Sequence, residues 1–444
     1  AEADVNIYVA EMRFFRALEY FNKIQLLGDV PWLEVDLNVD SEELYGPKMK
    51  RNQVFQKIIE DLDFAIQWLP EAGSEEANRL NKDIARHVKA RFCLNEGTHY
   101  KYHDELEYAS EAEKWLQMAA TESDKLITSG RYEIYNTGHP QEDYFNMYRI
   151  DDKSDLKEAV LYVDYKTNIR EHNMAAAGRE AGCGFSKSFV ESFLCSDGLP
   201  ISLSNKYLGD ETMRKETANR DPRLKQLILT NDFPTNVTDD LKDSTFVVNE
   251  DEFITQHCFT GYRPIKGFNP IYSQALYMKS SFDGIAYRYA ETLLINAEAK
   301  AELNTITNAD LDRTVNQLRD RVGMPHLTVN VGFTDPKWPD WGYSLSPVLQ
   351  EIRRERCIEL AGEGFRFNDL KRWKAGKLLN NVLTYVGKRK PDGNLAIVYP
   401  NYTNPDLSYQ AGKSRTWEDK MYLYPIPTGE LQRNPQLLPQ NPGW

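Results

Sequence analysis

The chain opens on apolar residues that return every three or four positions. Val9, Met12, Phe15, Leu18, Phe21 and Ile24 keep that spacing, which predicts a helix from Val5 to Leu27, stopped by Gly28-Asp29-Val30-Pro31. A second stripe, Phe55, Ile58, Ile59, Leu62, Ile66 and Leu69, predicts a helix over 52–69 that Pro70 ends. Ile84, Val88, Phe92 and Cys93 mark a third over 83–102. Ser110-Glu111-Ala112-Glu113 has capping-box spacing and opens a fourth. That helix runs through Trp115, Leu116, Ala119, Ala120 and Leu126 to Gly130, a residue suited to a left-handed terminus. Consecutive helices with short and medium connections pack as antiparallel pairs.

The helical period disappears between 131 and 283. Short segments such as Val160-Leu161-Tyr162-Val163 read as strands, and the glycines from Gly178 to Gly184 are too irregular for a phosphate loop. Helices resume near Ile285, with Tyr289, Leu293, Ala297 and Ala301 on one face, and again over 310–322. Ser346 and Pro347 are an N-cap and a first-turn proline for a helix reaching Ala361. A shorter helix is predicted over 369–374, and from Leu383 to Trp444 the chain is irregular and rich in Pro and Tyr. The expected fold is mainly α. Tetratricopeptide-like antiparallel helix pairs span about 5–130 and 285–375, with large irregular regions and a few short strands, in a single unit over 1–444. A strict 34-residue repeat is not legible.

Composition narrows the function classes. In 444 residues, 54 Lys and Arg face 67 Asp and Glu, a net charge of −13. That balance argues against a nucleic-acid partner, which needs clustered cations. No apolar run is long enough to span a bilayer. Five cysteines without CxxC spacing make neither a disulfide framework nor a zinc site, although a Cys183–Cys195 bridge is conceivable. Ala1 falls inside a helical pattern, so the first residues are expected to be a cut boundary. The 25 Tyr, 19 Phe and 8 Trp suit a large core, and they also suit stacking against sugars.

Reaction signatures are missing: GxSxG, HExxH, a Walker loop and GxGxxG do not occur, and Gly412-Lys413-Ser414 lacks the leading glycine of a phosphate loop. No cofactor or metal is expected. His99 and His103, four apart, are read as exposed or hydrogen-bonded side chains at a helix end. Glu351, Glu355, Glu359 and Glu363 form an i, i+4 stripe that like-charge repulsion disfavours. Arg353, Arg354, Arg356, Arg366 and Arg372 lie near in sequence, so the stripe is read as a structural ion-pair network rather than a catalytic carboxylate pair. The candidate ligand residues are aromatics in Pro/Gly-broken loops with polar neighbours. One loop offers Tyr262, Arg263, Phe268, Asn269 and Tyr272, with Lys266 among them. A second offers Trp338, Trp341 and Tyr343. Arg170-Glu171-His172-Asn173 adds a polar cluster in which His172 and Asn173 are the candidates.

The order of several segments carries a resemblance. Ala10-Glu11-Met12-Arg13-Phe14-Phe15-Arg16-Ala17 leads to Leu27-Gly28-Asp29-Val30-Pro31. Asp197-Gly198-Leu199-Pro200-Ile201, Asn219-Arg220-Asp221-Pro222-Arg223-Leu224 and Tyr287-Arg288-Tyr289-Ala290-Glu291 follow. Ile352 to Leu360, Glu363-Gly364-Phe365-Arg366-Phe367-Asn368-Asp369-Leu370, Tyr424-Pro425-Ile426-Pro427 and Gln440-Asn441-Pro442-Gly443 complete the set. Together they resemble the SusD/RagB family of outer-membrane nutrient-binding lipoproteins of Bacteroidetes. The resemblance implies a tetratricopeptide-like α fold, an oligosaccharide ligand, no enzymatic activity and no cofactor. It also implies a SusC-like TonB-dependent transporter as partner, and an outer-membrane, surface-exposed location through an N-terminal lipid anchor that this chain does not contain. Peptide capture by the same architecture is the alternative. A glycoside hydrolase and a structural helical adaptor are weaker readings. The family's binding residues vary, so the resemblance assigns none of the candidates above.

Overall fold

The computed structural model of the protein describes residues 2–74, 78–174, 184–255, 257–397 and 415–444, with side chains from residue 5 onward. Cys183, the glycine-rich stretch before Gly184 and Gly412-Lys413-Ser414 lie outside the described residues. We number only the helices of 13 residues or more. Among the described residues, sheet is confined to three antiparallel two-stranded ribbons. The chain forms two compact units.

The first unit comprises residues 1–126, 370–377 and 417–444. It holds α1 (Glu2–Leu27), α2 (Arg51–Trp68), α3 (Lys82–Tyr102) and most of α4 (Ala109–Thr128). Aromatic side chains knit them together: Phe21 stacks on Phe92 at 3.6 Å, and Phe55 meets Trp115 edge-on at 4.8 Å. Arg51 of α2 sends two N–H groups to Glu96 of α3, at 2.9 and 2.5 Å, and a third to the Ile24 carbonyl of α1 at 3.0 Å. A buried charge of this kind is tolerated because every partner is supplied. The Asn81 side chain caps α3 by accepting from Ile84 N at 3.0 Å.

The α1 register differs from its apparent stripe. Ala10, Phe14, Ala17, Phe21 and Ile24 are buried, whereas Met12 and Phe15 are exposed. The buried set alternates four- and three-residue steps, as a 3.6-residue turn requires, whereas a stripe spaced by three throughout drifts around the helix and carries Met12 and Phe15 off the inner face. His99 and His103 are buried rather than exposed, with rings stacked 4.0 Å apart. The His103 ring nitrogens lie 2.8 Å from the Lys371 carbonyl and 2.9 Å from Glu105, so both face protein groups.

The second unit comprises residues 127–369 and 378–416. Its long helices are α5 (Tyr289–Glu302) and α6 (Pro347–Glu359). α5 is buried on almost every side, and α6 starts as expected, with Ser346 Oγ accepting from Leu349 N and Pro347 in the first turn. The ribbons are β1 (Ala159–Val163) with β2 (Gly284–Arg288), β3 (Pro234–Val237) with β4 (Ser244–Phe246), and β5 (Val386–Arg389) with β6 (Leu395–Ile397). Cys195 is a free, buried thiol and makes no bridge.

The carboxylates of α6, with Glu363 in the turn beyond it, do form an ion-pair network, but most of its cations are not its sequence neighbours. Glu359 is held by Arg321, Arg288 and Arg223, and Glu355 by Arg223 and Arg319. Glu363 takes Arg288 at 2.6 Å and Lys266 at 2.6 Å. Of the cations near the stripe, Arg354 reaches it, binding Glu351 at 3.1 Å as well as Asp335 at 2.6 Å. Arg353 turns to Glu302, Arg356 to Asp369 and Arg372 to Thr98 Oγ1. On a helix, residues one or two apart face different directions.

Candidate functional site

The expected site residues separate by burial. Tyr262 is fully buried, and its hydroxyl donates to Glu216 at 2.8 Å, while Lys187 pairs with the same carboxylate at 2.5 Å. Burial, reinforced by Glu216, pushes the Tyr262 phenol well above its ordinary value. Phe268 is buried in the core cluster with Tyr144, Phe145 and Leu224, and the Arg263 guanidinium lies 5.3 Å from the centre of its ring. Asn269 is buried too, its carbonyl oxygen accepting from Ile271 N at 3.1 Å. These side chains shape the loop from beneath and present no platform. Tyr272 alone of that group is exposed, at 53 %.

The second loop is fastened to α6 by the polar handles of its rings. Trp338 Nε1 donates to Glu351 at 2.7 Å, and Trp341 Nε1 donates to Gln350 at 2.7 Å. Arg353 lies over the Trp341 ring at 4.7 Å and donates to the Tyr343 hydroxyl at 3.1 Å. Trp341 is buried, and Trp338 and Tyr343 are half-buried. A ring whose N–H or O–H is committed beneath it contributes to packing first.

The third cluster meets the first. His172 and Ser280 form an antiparallel bridge, with His172 N donating to Ser280 O at 2.9 Å and the return bond at 3.2 Å. Asn173 Oδ1 accepts from Met278 N at 3.1 Å. The His172 ring donates from Nε2 to the Phe282 carbonyl at 2.8 Å and accepts at Nδ1 from Met174 N at 3.1 Å, which fixes a neutral tautomer. Burial lowers its pKa accordingly. Tyr165 and Phe282 meet the same ring edge-on at 4.5 and 4.6 Å. The segments 165–174 and 269–283 therefore form one ledge.

Apolar side chains stand out from that ledge: Ile169, Met174, Tyr272, Leu276, Tyr277 and Met278 are all exposed, Tyr277 by 74 %. Among the described residues the Asn173 amide NH2 has no partner, so a ledge of rings and thioethers carries a free donor at its edge. This is the arrangement a sugar needs, with apolar surface for its C–H faces and donors for its hydroxyls. Sequence reasoning missed Tyr277, Leu276, Met278 and Ile169. The available signal was the apolar run Ala275-Leu276-Tyr277-Met278 beside Lys279-Ser280-Ser281, too short for a helix and without strand alternation.

Comparison with known proteins agrees with the architecture. The SusD family profile matches residues 126–444. SusD-like protein P2 of Formosa agariphila is 25% identical over 456 residues, spanning 100% of this chain and 75% of that protein. A crystal structure of a SusD-like protein from Bacteroides fragilis superposes with a TM-score of 0.73 at 24% identity, covering 100% of this chain and 81% of the other. A second from that organism, described as a SusD-like carbohydrate binding protein, gives 0.69 at 22%, covering 98% and 80%. At these identities the two structures establish the fold.

Proposed function

Since the chain belongs to the SusD family, we propose that it is a non-catalytic, surface-exposed glycan-binding protein that captures oligosaccharides on the ledge formed by segments 165–174 and 269–283. It delivers them to a TonB-dependent transporter in the outer membrane. The observation that carries the reading is the exposure of Tyr272 and Tyr277 beside the Asn173 amide NH2, which has no partner among the described residues. The description of a Bacteroides fragilis relative as a carbohydrate binding protein supports it. So does the use of the conspicuous carboxylates, which neutralise buried arginines and leave no acid pair for glycoside hydrolysis on α6.

An array of defined oligosaccharides, followed by calorimetry on the best ligand, tests the binding step. Tyr272→Ala and Tyr277→Ala should each weaken binding by roughly fivefold, equivalent to about 1 kcal/mol for a stacked ring, with an unchanged melting temperature. A peptide library bound in preference to every glycan would overturn the ligand class. Delivery is tested separately, by co-purification of the tagged protein with an outer-membrane barrel.

A further inference from the structure

The ledge has a charged edge that its aromatic surface does not explain. Lys166 and Arg170 face each other across a tight hairpin: Lys166 N donates to Arg170 O at 2.8 Å and Arg170 N to Lys166 O at 2.9 Å. The turn between them is Thr167-Asn168-Ile169, with Asn168 in the left-handed region at φ 63°, a conformation asparagine tolerates. A directly hydrogen-bonded antiparallel pair puts both side chains on one face of the ribbon, about 5 Å apart at Cβ. Two cations so placed repel each other and destabilise the hairpin. Among the described residues no carboxylate pairs with either. Arg170 instead lies with its guanidinium 4.9 Å from the Tyr165 ring centre, and Tyr165 packs on His172. Glu171, next to Arg170 in sequence, is occupied by Lys279 at 3.2 Å, and Asp164, two positions before Lys166, forms no ion pair with it among the described residues. Both hairpin cations are solvent-exposed on a chain whose net charge is −13.

The geometry points to an anionic oligosaccharide as the ligand, with a sulfate ester or uronate carboxylate received between Lys166 and Arg170 while the sugar ring lies on the Tyr272–Tyr277 surface. This rests on the glycan-binding reading and adds the substrate class to it. An anion shared by the two cations removes the repulsion that the hairpin otherwise carries. Guanidinium and ammonium offer charge-assisted donors to carboxylate and sulfate oxygens alike. Arg170 stays exposed while its guanidinium lies 4.9 Å from the Tyr165 ring centre.

Calorimetry of the whole chain with size-matched neutral galactan, sulfated galactan and oligogalacturonate fragments, each at low and high sodium chloride, tests the assignment. One of the two charged fragments should bind at least tenfold more tightly than the neutral one, and salt should erode that advantage. The fragment that gains separates sulfate from carboxylate recognition. Lys166→Gln and Arg170→Gln should each lose about tenfold for the charged fragment, as expected for one charge-assisted hydrogen bond. Neutral-fragment binding should be unchanged, and the melting temperature equal or higher. Equal affinity for neutral and charged fragments, or full affinity in both variants, overturns the anionic class while the glycan reading stands. Silence of the protein toward all three fragments and a broad glycan array overturns both.

Discussion

Arg321 grips both oxygens of Glu359, at 2.6 and 2.7 Å, with both side chains fully buried. Arg288 adds a bond at 2.7 Å and Arg223 another at 3.0 Å. Burial alone would push the Glu359 carboxyl up, but the three guanidiniums outweigh it and hold the group well below its ordinary value of 4.5. A depressed folded-state value means stability that is present above the unfolded value and lost as pH falls through the folded one. Glu359→Gln leaves three buried cations short of a charge and should cost about 3–5 kcal/mol. Thermal unfolding followed from pH 7 to pH 3 should show a weaker acid dependence in the variant than in the parent. Parallel curves would dismiss Glu359 as the acid-sensitive group.

Tyr262→Phe separates packing from binding. The change removes the phenol from Glu216 but keeps the Lys187–Glu216 pair. We expect about 1.5–3 kcal/mol of lost stability from the missing hydrogen bond to a charged group. Ligand affinity should stay within experimental error, because the ring is buried. A clear affinity loss at constant stability would return Tyr262 to the ligand surface.

These two residues show what the sequence made legible and what it did not. The Glu351–Glu363 stripe announced an ion-pair network through its own repulsion, and the Ser346-Pro347 start of α6 was readable from capping chemistry. The partners were hidden, since Arg223, Arg288 and Arg321 are brought to Glu359 by folding from 136, 71 and 38 positions away. Tyr262 looked exposed because Gly and Pro surround it. Its burial depends on Glu216, 46 residues earlier, finding the phenol. Tyr272 was legible because it ends the same loop beyond Pro270, where the chain returns to the surface. Tyr277 was not, since neither period nor turn chemistry marks the bridge from His172 to Ser280 that lifts its segment outward.

Gly387→Ala tests how the first candidate loop is seated. A Cβ on Gly387 would lie 2.0 Å from the Thr260 carbonyl oxygen and 2.3 Å from Thr260 Cα. Backbone cannot yield as a flexible side chain does, so strand β5 must move off the 260–262 segment and weaken the Lys388 N to Thr260 O bond of 2.8 Å. We expect a loss at or above the roughly 1–3 kcal/mol usual for overpacking. Hydrogen exchange should quicken at Lys388 and Tyr262. Wild-type stability in the variant would mean that β5 is not seated on this segment.

Lys153 should tie the ledge to the core behind it. Its ammonium donates to Ile150 O and Asp283 O, both at 2.6 Å. The Asp283 carboxylate accepts from Lys153 N at 3.0 Å and from Tyr165 N at 2.8 Å. Lys153→Met strands two carbonyls and should loosen the Tyr165–His172 corner, seen as faster hydrogen exchange over 165–172 and weaker glycan binding. The pH dependence has a definite sign. Burial lowers the Lys153 pKa from 10.5 to about 8, so between those values the unfolded chain holds more protons than the folded one, and this group's contribution to stability rises with pH. The clasp survives the titration, because a neutral amine keeps two N–H groups, enough for the two short carbonyl bonds. From pH 8 to 10.5 the parent should therefore gain stability relative to Lys153→Met while ligand affinity stays level. A parent curve that falls relative to the variant across that window would show that the charge, and not the hydrogen-bonded amine, holds the ledge.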